Sequence, residues 1–210
     1  MIKFRAFPAI VLTLFLLANT ADSAKPKPPA GDYFPLRVGD SWNYRHNTGE
    51  SEYSLKVLSE EKQADGSTRY LVEMLSGVKI LSWFSKTPGW ALLHHQGYPE
   101  HEGLEAKYDP PKQHLQNPLV AGTKWEWKGK DHTQMEFVES YQVVGLENVT
   151  VPAGKFRAMK VVCEVSGGAR MTRTSWHAEG VGLVKSMTDG GQIKYGFELV
   201  DYSFKKKAAK

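Results

Sequence analysis

The chain has 210 residues, a formal net charge of +4 and a single cysteine. Cys163 alone excludes an internal disulfide, and a body of this size buries roughly 70% of its unfolded-chain surface without one. The pI of about 9.0 suggests nucleic-acid binding until the charges are located. Residues 1–23 take away Lys3, Arg5 and Asp22, and the tail takes away Lys205, Lys206, Lys207 and Lys210. What is left sets 21 basic residues against 22 acidic ones, which excludes the basic face that nucleic acid requires.

Lys3 and Arg5 precede an apolar stretch over residues 6–18, the pattern of a secretory signal peptide. The stretch falls short of the roughly 20 residues that span a bilayer. Small residues at Ala21 and Ser23 suit cleavage after Ser23, so residues 1–23 read as a signal and the mature protein as periplasmic or secreted. No cysteine stands near the end of the stretch, which argues against a Cys-anchored lipoprotein. Residues 24–31, with Pro26, Pro28 and Pro29, form a stiff tether. A single β domain is expected over 32–204. The basic tail, 205–210, is a solvated end or a peripheral contact with anionic membrane lipids through Lys205, Lys206, Lys207 and Lys210.

The domain opens on a pattern that occurs twice. Pro35, Leu36, Gly39, Trp42 and Tyr44 match Pro118, Leu119, Gly122, Trp125 and Trp127 at a constant shift of 83. Ser82, Trp83 and Gly89 match Ser175, Trp176 and Gly182 at a shift of 93. Two similar halves follow, 32–93 and 118–204, the second about ten residues longer in its middle. Between the matched points, short runs alternate apolar and polar residues. Tyr53, Leu55 and Val57 turn through Asp65-Gly66 into Tyr70, Val72 and Met74. In the second half, Met135, Phe137, Tyr141 and Val143 turn through Val151-Pro152-Ala153-Gly154, a sequence with turn chemistry. Asp189-Gly190-Gly191 marks a last hairpin. The pattern predicts an all-β antiparallel meander of ten or eleven strands. A sheet of this size curls, here into a barrel or half-barrel. Residues 94–117, with Pro99, Pro110 and Pro111, break the alternation and read as a long connection between halves.

Two sets of residues could carry chemistry. Trp42, Tyr44, Trp83, Trp125, Trp127 and Trp176 are candidates for the wall of an apolar ligand site. The same aromatics also suit strand-entry anchors that belong to the scaffold, each burying ~150–250 Å². His94, His95, His101 and His114, with Glu100, Glu102 and Glu105 nearby, hold imidazole and carboxylate donors that suit zinc, copper or nickel, but in no standard ligand spacing. His177 beside Glu179 could act as a base, yet the equivalent position in the first half is Phe84. No Gly-x-Ser-x-Gly, Ser-x-x-Lys or His-Glu-x-x-His is present, nor a phosphate-cradling glycine loop, and no cofactor is implied. Cys163 alternates with Met159, Val161 and Val165, so a buried, inert thiol is expected.

Tyr33-Phe34-Pro35-Leu36 with Gly39 and Trp42-x-Tyr44, then Val151-Pro152-Ala153-Gly154-Lys155-Phe156, then Trp176 with Gly180-Val181-Gly182-Leu183-Val184-Lys185 resemble a group of exported bacterial β-rich proteins. The resemblance implies an extracytoplasmic β protein similar in shape to the half-barrel lipoprotein carriers of the cell envelope. It brings no catalytic residue. Many members of the group are lipoproteins, from which the missing cysteine departs. The expectation is an envelope protein whose curved sheet binds an apolar, lipid-like ligand or a segment of an envelope partner. Its alternatives are a packed partner-binding module, and a hydrolase or metal-binding protein that uses the loop histidines.

Overall fold

Period-two alternation becomes strand throughout the body, because each inward side chain finds apolar neighbours while the next one meets water. The computed structural model describes residues 31–49, 51–130, 135–167 and 170–204. The signal expected at 1–23, all but the last residue of the expected tether, and the tail at 205–210 lie outside the described residues. The first half supplies β1 (Ser41–His46), β2 (Glu52–Lys62), β3 (Thr68–Leu75), β4 (Lys79–Lys86), β5 (Trp90–Gly97) and β6 (Glu105–Gln116). The second supplies β7 (Lys124–Lys130), β8 (Glu136–Val151), β9 (Gly154–Ser166), β10 (Met171–Ala178), β11 (Gly182–Asp189) and β12 (Lys194–Ser203). There are thus twelve strands rather than ten or eleven, and no helix among the described residues.

All twelve strands form one antiparallel sheet in the order β6-β5-β4-β3-β2-β1-β12-β11-β10-β9-β8-β7. Chain neighbours are sheet neighbours at every step but one, and β1 pairs with β12. The sheet is therefore a nearly closed barrel, cut only between β6 and β7, where the two halves join. Side chains bridge this cut. Trp125 Nε1 donates to the Gln113 carbonyl at 3.1 Å, and the Tyr108 and Trp127 rings meet edge-on at 5.5 Å.

The segment 94–117 is not a loop. It holds the end of β5 and the whole of β6. Proline cannot donate to a ladder and is confined to edge strands, and β6, which carries Pro110 and Pro111, is an edge. The prolines thus mark where the ladder stops, not where the strand stops.

Both halves repeat the same local construction. Gly39 (φ 88°) and Gly122 (φ 86°) adopt a conformation that a side chain resists. Gly39 N–H donates to Val57 O (2.8 Å) while Val57 N–H donates to Asp40 O (3.0 Å). In the second half Gly122 donates to Val143 O (2.8 Å) and Val143 to Thr123 O (2.9 Å). Register irregularities recur at Trp83/Phe84 and Trp176/His177. β8 and β9, at 16 and 13 residues, exceed β2 and β3, at 11 and 8, which accounts for most of the change in shift from 83 to 93. The added length carries Val149, Val151 and Ala158 into the same apolar cluster as Trp42, Tyr44 and Leu199. There Ala153 N–H donates to Leu199 O at 2.9 Å.

Candidate ligand cavity

Before β1, residues 31–36 cross one end of the barrel, and their polar groups explain why. Asp32 accepts from Asn117 Nδ2 at 2.9 Å and from Lys86 Nζ at 2.7 Å. Its carbonyl receives Gly180 N–H at 2.6 Å, and Tyr33 N–H donates to Asn117 Oδ1 at 2.8 Å. Lys86, Asn117 and Gly180 stand at or beside the β4–β5, β6–β7 and β10–β11 turns, so the segment is tied down all round that end. This plug points Phe34 inward, where its ring lies 5.1 Å from Phe84 and 5.3 Å from His114.

Above the plug lies a half-enclosed cavity of about 230 Å³. Its wall is mainly apolar: Phe34, Leu36, Trp42, Leu55, Val72 and Phe84 contribute, and Tyr53, Met74 and Gln96 line it toward the opposite end. Tyr44 is fixed there by stacking on Tyr53 (4.6 Å) and by donating to Leu183 O (2.8 Å). Trp42 Nε1 donates to Val181 O at 2.7 Å, which leaves its ring to the interior. Polar groups on the wall are few. Gln96 donates to Ser82 (3.2 Å) and accepts from Tyr108 (2.9 Å). His177 Nε2 meets Ser175 Oγ at 3.0 Å, and its ring is buried beside the Tyr33 main chain. Burial lowers His177 to about 4 and His114 to about 3, the latter helped by Lys112 and Arg173, so both are neutral imidazoles near pH 7.

Beside the cavity, under β6 to β10, the interior is charged. Glu139 on β8 accepts from Lys112 Nζ on β6 at 2.7 Å and faces Arg173 Nη2 on β10 at 3.4 Å. Tyr141 O–H also donates to it, and Lys112 Nζ lies 4.6 Å over the Trp127 ring. Burial pushes the Glu139 carboxyl up, but Lys112 and Arg173 outweigh it and hold the group below its ordinary range. Burial lowers Lys112, against the pull of Glu139.

The sequence candidates divide between these regions. Trp42 and Tyr44 line the cavity. Trp125 is a scaffold residue, stacked on Tyr141 at 4.6 Å and edge-on to Trp90 at 5.5 Å, and Trp127 closes the seam. Trp83 and Trp176 do not reach the cavity. Trp83 stacks on His95 at 4.7 Å, and Trp176 donates to Glu147 at 2.7 Å beneath Lys160. The four histidines are not brought together. His94 bonds Ser85 Oγ (2.7 Å), His95 bonds Glu105 (3.0 Å), His101 sits in the β5–β6 turn, and His114 faces the cavity. Neighbouring strand residues diverge, and among the described residues no group of three or more His, Cys, Asp or Glu is placed to hold a metal ion. Cys163 is buried, and burial raises its thiol.

Sequence reasoning missed Leu55, Val72, Met74 and Phe84 as cavity wall, because they look like ordinary core. It also missed Lys112, Glu139 and Arg173. The one available signal was Glu139, a charge set between Phe137 and Tyr141 in otherwise apolar alternation.

A family described as DUF3108-like matches residues 98–189, a span that holds the second and third of the motifs above. No curated protein shows significant similarity to the chain. Among solved structures, the chain is similar to a candidate lipoprotein of Parabacteroides distasonis, at 14% identity over 82% of this chain and 98% of that one, with a TM-score of 0.46. It is similar to a candidate exported protein with a YmcC-like fold from Bacteroides fragilis, at 11% identity over 82% and 99%, with a TM-score of 0.46. It is also similar to the hypothetical lipoprotein YmcC of Escherichia coli, at 11% identity over 81% and 86%, with a TM-score of 0.36.

Proposed function

We propose that the protein is an exported envelope protein that holds an apolar, lipid-like chain inside its barrel. The observation that carries this reading is the apolar cavity between Phe34 at the plug and Met74 toward the other end. Apolar surface left facing such a space is stabilised by roughly 25 cal/mol per Å² when a chain covers it. The signal-type residues 1–23 support export. At about 230 Å³ the space lies below the ~300–1,000 Å³ of sites for drug-sized molecules, so it suits one narrow chain rather than a ring system. The same small volume favours a second reading, a packed module whose partner binds outside.

Native mass spectrometry of protein taken from its own envelope fraction separates the two. A co-purifying lipid mass is expected, removed by solvent extraction and restored on adding lipid. A bare protein mass that stays bare after incubation with lipid supports the packed module instead.

A further inference from the structure

The cavity and the charged cluster share strands. On β6, Lys112 and His114 are two residues apart and so lie on one face, about 7 Å along the strand. His114 lines the cavity, and Lys112 reaches Glu139. On β10, Arg173, Ser175 and His177 pair with Cys163, Val161 and Met159, all three in the interior, so they share the inward face. His177 lines the cavity, and Arg173 lies four residues away, about 13 Å. Two strands therefore each lead from a cavity histidine to a cation. The direction is away from the plug: β8 and β10 begin near Glu139 and Arg173, at the end opposite Asn117 and Gly180.

The cluster is unbalanced. Two cations face one carboxylate. Glu139 takes Lys112 closely and Arg173 only at 3.4 Å. Arg173 Nη2 also approaches Cys163 Sγ at 3.7 Å, while Nε and Nη1 have no partner among the described residues. The Arg173 side chain is 41% exposed, against 12% for Lys112, so it is the cation that a head group entering from that end meets first. A guanidinium with free donors matches a carboxylate or phosphate in a forked pair of hydrogen bonds.

We propose that the occupant of the cavity is a single-chain amphiphile with an anionic head, its chain against Phe34, Leu55 and Phe84 and its head on Arg173. This rests on the reading that the cavity holds an apolar chain. Lys112 and Glu139 form the base of the head-group site: the ion pair positions Arg173, and the surplus positive charge is left for the ligand.

The test compares three twelve-carbon ligands on the full mature chain by calorimetric titration: dodecanoate, dodecyl phosphate and dodecanol. Either anion is expected to bind roughly tenfold or more tightly than the alcohol, the scale of one charge-assisted hydrogen bond. The better anion tells a fatty-acid head from a phosphate head. Arg173→Gln is expected to abolish the preference, bringing both anions down to the affinity of dodecanol. Equal binding of all three to the wild-type chain overturns the head-group site and leaves the apolar cavity standing. Binding of none overturns both. A preference that survives Arg173→Gln in a folded variant overturns the assignment to Arg173. If that variant does not fold, the three-ligand comparison on the wild-type chain decides alone.

Discussion

Lys112 Nζ lies 2.7 Å from a Glu139 carboxylate oxygen, although one residue is on β6, the other on β8, and β7 stands between them around the barrel. The lysine reaches its partner by passing over the Trp127 ring. This pair spans the one place where the sheet lacks a backbone ladder, so it ties the two halves together where hydrogen bonds of the main chain do not.

Removing one partner should therefore cost more than removing both. Lys112→Met leaves the buried Glu139 with the Tyr141 hydroxyl and the longer contact to Arg173 but without its close cation, at a cost of about 3–5 kcal/mol. Lys112→Met combined with Glu139→Gln should recover a large part of that loss. Urea denaturation of the three variants measures it, and strictly additive losses would contradict the coupling.

Acid should weaken the fold before its carboxylates titrate. His114 and His177 are lowered, mainly by burial, to about 3 and about 4, whereas in the unfolded chain they titrate near 6.5. Below pH 6.5 the unfolded state takes up protons that the folded state refuses. Their contribution is fully present above pH 6.5 and falls by about 1.4 kcal/mol per pH unit for each histidine, down to its folded value. Glu139, also lowered, adds its own loss only below about 4.5. His177→Phe, which installs the residue found at the equivalent Phe84, should remove that histidine's share of the slope between pH 5 and 6.5 and leave the shares of His114 and of His94, which burial also lowers. Denaturant midpoints across that range report it, and an unchanged slope would rule out His177.

Filling the cavity should end ligand binding and spare the fold. Leu55→Trp adds a ring into the space lined by Phe34 and Met74, with a packing cost of about 1–3 kcal/mol. Uptake of a dodecyl chain should fall at least tenfold, while thermal melting remains cooperative. Equal changes at the outward Trp83 would show that the effect is not specific to the interior.

The two repeat openers should respond alike. Gly39→Ala and Gly122→Ala each force a side chain into the left-handed region, at about 1–2 kcal/mol. Nothing lies within 4 Å of a methyl group added at Gly122, so backbone strain is the whole cost there. Melting temperatures should drop by similar amounts, and a large inequality would mean that the two turns are not equivalent.

Duplication, strand alternation and the curling of the sheet were legible because each is a local pattern: a Trp two residues before an aromatic, a turn glycine, a period of two. Residues 94–117 misled because Pro110 and Pro111 break a ladder on one side only, and sequence does not tell an edge from a loop. The candidate site was half visible. Trp42 and Tyr44 stood out as aromatics, but so did Trp83 and Trp176, which point outward, since alternation alone does not say which face is inside. The ion cluster draws on β6, β8 and β10, and no spacing along the chain links Lys112, Glu139 and Arg173.

The partnership of β1 with β12 sets when the molecule becomes whole. β1 keeps one edge bare, with Trp42 and Tyr44 uncovered on that side, until residues 194–203 fold back against it. A chain cut before β12 keeps an adhesive margin at its first strand, and residues 194–203 are the ones that seal it.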